Sequence, residues 1–426
     1  MTGNDFSSVI TTFNFYYDIK FWLAFVSIFI IYRLLAFNHI GRIIFLFIGS
    51  VFMILALPKF NLVSFGFLFA VCVLIFLIGY FLNGNVFVKD RSKRMVVSVA
   101  GIMLVVLILS FFKYSWFREV AFKYLIPKKV EATDYIFIIG ISYSSFKMIH
   151  FLIESYKQQI KELRFVSFVS YIFFFPAFIS GPINRYNQFS EGLDLKNTSN
   201  VKDDLKIGVE RIIHGLFKKF VLSTIVFPYA IVNIQKSILE LNPHEILIGC
   251  YAYTFYFYFD FSGYSDLAIG CGKIMGIELP ENFNNPFLKA NIQQLWANWH
   301  MSLTRWLTDY IYWPLSKKLR KGEYLSKHPI LLSNISIIIT FIICGMWHGE
   351  SLNFVIWGLY HGVGLAILNI YQKCKRKVRN KVIKGYFLSR YSQWIGTICT
   401  FNFFALGILL FSFDISKIKI LISRIL

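Results

Sequence analysis

Charge is scarce in this sequence. Only 16% of the 426 residues are charged, where a soluble domain carries about a quarter, and no hydrophilic stretch is long enough to fold alone in water. Nucleic-acid binding is excluded on the same ground, because it needs a soluble basic module with interleaved aromatics. Cysteines are few and show no paired spacing, at 72, 250, 271, 344, 374 and 399. Neither a disulfide framework nor a zinc site follows, and buried structural thiols are expected. The nucleophile elbow G-x-S-x-G, the pair H-E-x-x-H and a glycine-rich phosphate loop are all missing. No aspartate stands as the fifth residue after either notable histidine: the position holds Arg305 after His300 and Asn353 after His348. No metal ligand set is therefore expected.

Apolar residues fill the chain instead, at 56% with 48 Phe. Apolar runs recur near 19–37, 41–58, 60–82, 95–114, 135–156, 165–183, 209–234, 245–272, 330–348, 351–371 and 393–413. A run of about 20 residues crosses a hydrocarbon core of about 30 Å at 1.5 Å per residue. Backbone polar groups must be satisfied inside lipid, and these runs are too continuous for barrel strands. The expectation is an all-α, polytopic integral membrane protein with about eleven transmembrane or re-entrant helices. One domain over 1–426 is expected, with N-terminal helices in 1–134, a motif-bearing core in 135–371, and a basic loop and last helix in 372–426. The start, MTGNDFSSVI, has no basic n-region, so no removable signal peptide is expected.

The net charge of +21 collects in loops at 89–94, 317–327 and 373–384. The positive-inside rule reads the last two, which are separated by two spans, as cytoplasmic. The turn from Glu350 to Asn353 then faces the opposite side.

Between Gly276 and Lys327 the chain is amphipathic: too polar to span, too aromatic to float free, and expected in the interface or part-way into the membrane. Trp296, Trp299 and His300 fall at i, i+3 and i+4, the spacing of one helical face. Arg305 and Asp309 have the i, i+4 spacing of a helical ion pair. Pro280 and Pro286 bracket ENFNN and predict an extended entry. Further on, FIICGMWHG (341–349) places the ionisable His348 at the end of an apolar run, where burial is costly unless the imidazole is paired or used. His348 and His361 are each followed by glycine, lie near Trp347 and Tyr360, and flank the polar turn GESLN.

GMWHGESLNFVIWGLYHG (345–362) resembles the signature of the membrane-bound O-acyltransferases. So do FDFSGYSDLAIG (259–270), PENFNNPF (280–287), LWANWHMSLTRWLTDYIY (295–312), FFPAFISGPINRYNQF (174–189), GLFKKF (215–220) and GISYSSFK (140–147), which look like the bacterial branch of teichoic-acid D-alanyl transfer and alginate O-acetylation proteins. The resemblance covers roughly 135–371. It implies a ring of tilted helices with a central tunnel, in a multi-pass protein of the bacterial cytoplasmic (inner) membrane. It implies catalytic roles for His348 and His300, and substrate-binding or tunnel-lining roles for Asn284, Trp299, Ser302, Arg305, Trp347, His361 and Arg185.

No bound cofactor is implied; the acyl donor is a thioester, on carrier-protein phosphopantetheine or as acyl-CoA. Acyl carrier protein or acyl-CoA is thus the expected partner on the cytoplasmic side, an envelope polymer or accessory transfer protein on the outer side, and lipid bilayer around. Independent physics agrees, because an alcohol attacking a thioester gains about 10² to 10⁴-fold from a base, and a buried, neutral imidazole suits that role. GPINRYNQF, FKMIHFLIESY and the chain length lean toward D-alanyl transfer, whereas FDFSGYSDLAIG and RWLTDYIYWPL lean toward O-acetylation. D-alanylation is slightly favoured. A transporter or polymer-export partner is the reading from another class, though the two similar halves with interrupted helices typical of transporters are not visible.

Overall fold

The computed structural model describes residues 18–34, 39–57, 62–84, 90–125, 140–193, 201–234, 238–377, 385 and 389–425. The opening MTGNDFSSVI, the start of the 135–156 run and residues 378–384 of the last basic loop lie outside them. All regular structure among the described residues is helical. Leu62–Asn83, Arg91–Lys113, Val201–Tyr229, Pro329–His348, Leu352–Lys377 and Arg390–Ser412 are long and apolar enough to cross a membrane, with shorter apolar helices at Ile19–Tyr32 and Ile43–Leu55. This is a polytopic all-α membrane protein.

One expected span is not a continuous helix. The 165–183 run forms a helix only over Phe165–Ile172, then a single 3-10 turn at Phe175–Ala177 and irregular chain up to Tyr186. Pro176 and Pro182 remove backbone donors. The irregular backbone is tolerated because protein, not lipid, surrounds it: Phe168, Phe173, Phe174 and Phe178 are all buried. The run at 245–272 sits inside a helix of 32 residues, Pro243–Ile274, about 48 Å long. The cysteines also divide. Four are buried, but Cys374 and Cys399 are exposed, so burial does not account for those two.

The chain divides into two compact units, Met1–Ile213 with Ser265–Pro280, and His214–Tyr264 with Glu281–Leu426. In the first, the helix Ile141–Tyr156 packs against Leu62–Asn83 and Arg91–Lys113. Nearly all of its first three turns are buried, so it is enclosed on every side. Two ion pairs join 201–213 to 265–276. Arg211 Nε lies 2.6 Å from Asp266 Oδ1, and Lys273 Nζ lies 3.2 Å from Asp204 Oδ1. Each buried carboxylate has its cation, as a low-dielectric interior requires.

In the second unit, Lys219 and Asp260 form a further ion pair. A π turn over Phe217–Leu222 carries the lysine. The main scaffold of this unit is the hairpin of Pro329–His348 and Leu352–Lys377. A Cβ added at Gly345 would overlap the Phe354 carbonyl oxygen, and one at Gly358 would overlap that of Phe341. The two backbones therefore touch, the close approach that small residues permit between membrane helices. Asn369 Nδ2 donates to Asn334 Oδ1 across the hairpin at 2.8 Å. Gly345→Ala is expected to force the helices apart, at a cost of roughly 1–3 kcal/mol. Size-exclusion of detergent-extracted protein should show a smaller monodisperse fraction and a lower Tm; an unchanged Tm would count against this contact.

Candidate active site

His300 is held by a strap of chain. The Asn284 N–H donates to the Asn298 carbonyl at 3.1 Å, and the Met301 N–H donates to the Asn282 carbonyl at 2.9 Å. Between these two bonds Trp299 is extended and His300 turns into the left-handed region, φ 42° and ψ 52°, a conformation costing a non-glycine residue about 1–2 kcal/mol. Asn282, fully buried, locks the turn: its Oδ1 accepts from Ser302 Oγ at 2.6 Å and from the Ser302 N–H at 3.3 Å. The helix expected to carry Trp296, Trp299 and His300 on one face therefore ends at Asn298, and a second helix starts at Met301. The three side chains do not share a helical face. Pairing with ENFNN outcompetes helix continuation here. Backbone strain of this kind persists where the surroundings over-determine it, which is common at functional sites.

His300 is buried, with Phe261 edge-to-face at 4.8 Å. Its segment is not among the spans. Burial pushes its imidazole down from 6.5 to about 3, against a smaller opposing contribution from its own backbone, so the ring is neutral throughout the physiological range.

His348 is the last residue of its helix. It is half-buried rather than sealed in, a departure from the expectation of a buried base, because the chain leaves the helix at the next residue. Its ring lies among Trp347 (4.6 Å between centroids), Phe411 (5.0 Å) and Trp357 (5.1 Å). The GESLN turn is fixed by Asn353, whose Nδ2 donates to the carbonyls of Leu410 and Phe411 at 3.2 and 3.3 Å. Those carbonyls belong to the last turn of Arg390–Ser412, where helix acceptors lack intrahelical partners. One amide thus satisfies that helix end and brings Phe411 onto His348.

A chain of rings joins the two histidines: His300 to Phe261, Phe261 to Phe257 at 6.3 Å, Phe257 to Phe411 at 6.0 Å, and Phe411 to His348. Trp299 stacks on Phe257 at 6.0 Å and packs on Phe404 at 4.7 Å. His361 is wholly buried, with Trp296 at 5.1 Å and Trp357 at 5.0 Å. Trp357 thereby contacts both His361 and His348.

The remaining expected site residues are dispersed. Trp347 adjoins His348 and Ser302 secures the His300 turn, whereas Asn284 contributes its backbone and is exposed. Arg305 is exposed and, among the described residues, forms no ion pair with Asp309. A π turn over Thr308–Tyr312 alters the expected i, i+4 register. Arg185 belongs to the first unit. The sequence reading missed Asn282, Trp357, Phe261 and Phe411. Asn282 was visible inside ENFNN, but nothing local marked Phe411.

The profile of the membrane-bound O-acyltransferase family matches residues 59–407. This chain belongs to that family. It is an acyltransferase, similar to the teichoic acid D-alanyltransferase of Bacillus subtilis (34% identical, over 64% of this chain and 68% of that one). It is also similar to the peptidoglycan O-acetyltransferase of Helicobacter pylori (30%, over 72% of this chain and 60% of that one) and to a probable alginate O-acetylase of Pseudomonas fluorescens (34%, over 54% and 44%).

Two outcomes follow for this acyltransferase. A His300 that is neutral at every pH above about 3 adds no inflection to the rate between pH 5 and 8. A pH profile of His300→Gln should fall in height and keep its shape; loss of an inflection near 6.5 would overturn this. Both ring nitrogens of His361 are buried without a hydrogen-bond partner among the described residues, and an unsatisfied buried polar group costs about 1–3 kcal/mol. His361→Phe, which fits the aromatic surroundings, is expected to raise Tm in a thermal-shift assay.

Proposed function

We propose that this acyltransferase moves an acyl group from a cytosolic thioester donor to a hydroxyl of a cell-envelope polymer, working in the bacterial cytoplasmic membrane. D-alanylation of a teichoic-acid-like polymer is favoured. The observation that carries the reading is the placement of His348, half-exposed at a helix end, in an aromatic box joined ring by ring to the buried, neutral His300. The box limits water while leaving one side of the imidazole open to a substrate.

In the reaction, the acceptor hydroxyl oxygen attacks the thioester carbonyl carbon while an imidazole nitrogen of His348 takes the hydroxyl proton. The carbonyl oxygen becomes an oxyanion, and His300, a neutral N–H donor held rigidly, stabilises it. The C–S bond then breaks and the thiolate takes the proton back from the His348 imidazolium. An ester and a free thiol leave, and both histidines return to their starting state.

The D-alanyl reading draws on the Bacillus relative, whose match takes in more of the relative's own length than the two acetylating relatives' matches do. O-acetylation of an envelope or exported polysaccharide is the second reading, favoured by the longer stretch of this chain matched to the Helicobacter protein. The donor is carrier-protein phosphopantetheine thioester in the first case and an acetyl donor in the second.

His348→Ala is expected to remain folded and inserted yet lose transfer by on the order of 10²-fold or more. Mild base treatment of envelopes from wild-type and variant strains, with identification of the acid released, is the test. Alanine lost in the variant supports the first reading and acetate lost supports the second. Equal ester content in both strains would overturn the acyl-transfer assignment of His348 in favour of a transport or export role.

A further inference from the structure

The first unit holds a buried cation that the transfer chemistry does not use. Lys147 lies on the enclosed helix Ile141–Tyr156 and is 1% exposed. Its Nζ donates to the Tyr171 carbonyl at 2.9 Å, in the last turn of Phe165–Ile172, and lies 5.1 Å from the centre of the Tyr171 ring. Among the described residues no carboxylate pairs with it. Glutamates of the same unit pair with other cations: Glu154 with Lys157, Glu162 with Arg164 and Glu191 with Lys161. This contrasts with Arg211 and Lys273 of the same unit, each of which has its aspartate.

A helix end needs only a hydrogen-bond donor, which a neutral side chain supplies. A full charge at a buried position without a counter-ion is costly, and inside a membrane protein such a residue marks a functional site by default. A second observation lies on the other side of the same tyrosine. The Tyr171 hydroxyl donates to the backbone carbonyl of Asn184 at 2.9 Å. Asn184 is also 1% exposed, and its side-chain Oδ1 and Nδ2 have no hydrogen-bond partner among the described residues. A lysine amine without a carboxylate partner and an unused amide N–H₂ are thus tied to one buried tyrosine.

We infer that Lys147 and Asn184 form an anion-binding site for a phosphate-bearing group, of the glycerophosphate kind, with the phosphate oxygens accepting from Lys147 Nζ and Asn184 Nδ2. A phosphate supplies the missing charge and enough acceptor oxygens for several donors at once. Glycerophosphate is common to an envelope polymer of the teichoic type and to a phosphatidylglycerol headgroup. The polymer case rests on the proposed function; the site itself does not.

The test uses full-length protein purified in a neutral detergent and read by thermal shift. The probes are a short glycerophosphate oligomer, phosphatidylglycerol against phosphatidylcholine, and glycerol as the uncharged control. Wild type is expected to gain Tm with at least one glycerophosphate probe and not with glycerol. Lys147→Met, similar in length and uncharged, should bind at least 10-fold more weakly without a lower Tm of its own, and Lys147→Arg should retain binding. Should Lys147→Met fail to fold, Asn184→Asp gives the lysine an internal carboxylate and is expected to keep the fold and lose the response.

Response to the oligomer alone identifies the polymer as the source, and response to phosphatidylglycerol alone identifies the headgroup. No response in wild type, or responses of Lys147→Met and Asn184→Asp equal to that of wild type, overturns the site. These readouts need no acyl transfer, so failure here with His348→Ala still inactive sinks this inference only.

Discussion

Contact between two helix backbones governs the second unit. Pro329–His348 and Leu352–Lys377 approach so closely at Gly345 and Gly358 that no side chain fits between them. That closeness makes the connecting turn short, and the short turn puts His348 at a helix end with Trp357 across from it. Asn353 then binds the end of Arg390–Ser412 and brings Phe411 to the same ring. Hydrophobic burial gives little net drive between helices in lipid, so packing and satisfied polar groups must hold them. The glycines and the asparagine supply these two terms.

Around His300 the local energetics run the other way. A continuous helix through Trp296 to Leu307 is the cheaper local conformation, yet the chain adopts an extended residue and a left-handed one between two short helices. The strap from Asn282 to Asn284 compensates with backbone bonds and with two hydrogen bonds on the Asn282 side chain. The consequence is rigidity at one imidazole, in surroundings dry enough to keep it neutral. A neutral, fixed N–H donor suits developing negative charge better than a mobile cation in water.

Buried charge is treated in two ways in the same chain. Asp204, Asp266 and Lys219 each meet an opposite charge, which limits the penalty of taking them from water. Lys147 meets a carbonyl and a ring face instead. The difference separates charges that hold helices together from a buried lysine without a carboxylate partner.

The sequence by itself determined that the chain is helical and membrane-embedded, because runs of some 20 apolar residues leave the backbone no other way to satisfy its polar groups in lipid. It also singled out His300 and His348, because the motifs around them, NWHMSL and GMWHG, resemble those of the membrane-bound O-acyltransferases. Only the tertiary structure decided that 165–183 is not a continuous helix, because its enclosure by protein comes from other segments. It likewise decided that Trp296 and His300 leave a common helix face, since the competing bonds come from Asn282 and Asn284, some 15 residues earlier. Phe411 at His348 and the unpaired Lys147 were beyond reach for the same reason. Periodicity reports what one segment does along its own axis, whereas a ring contact or a missing counter-ion depends on which distant side chains arrive.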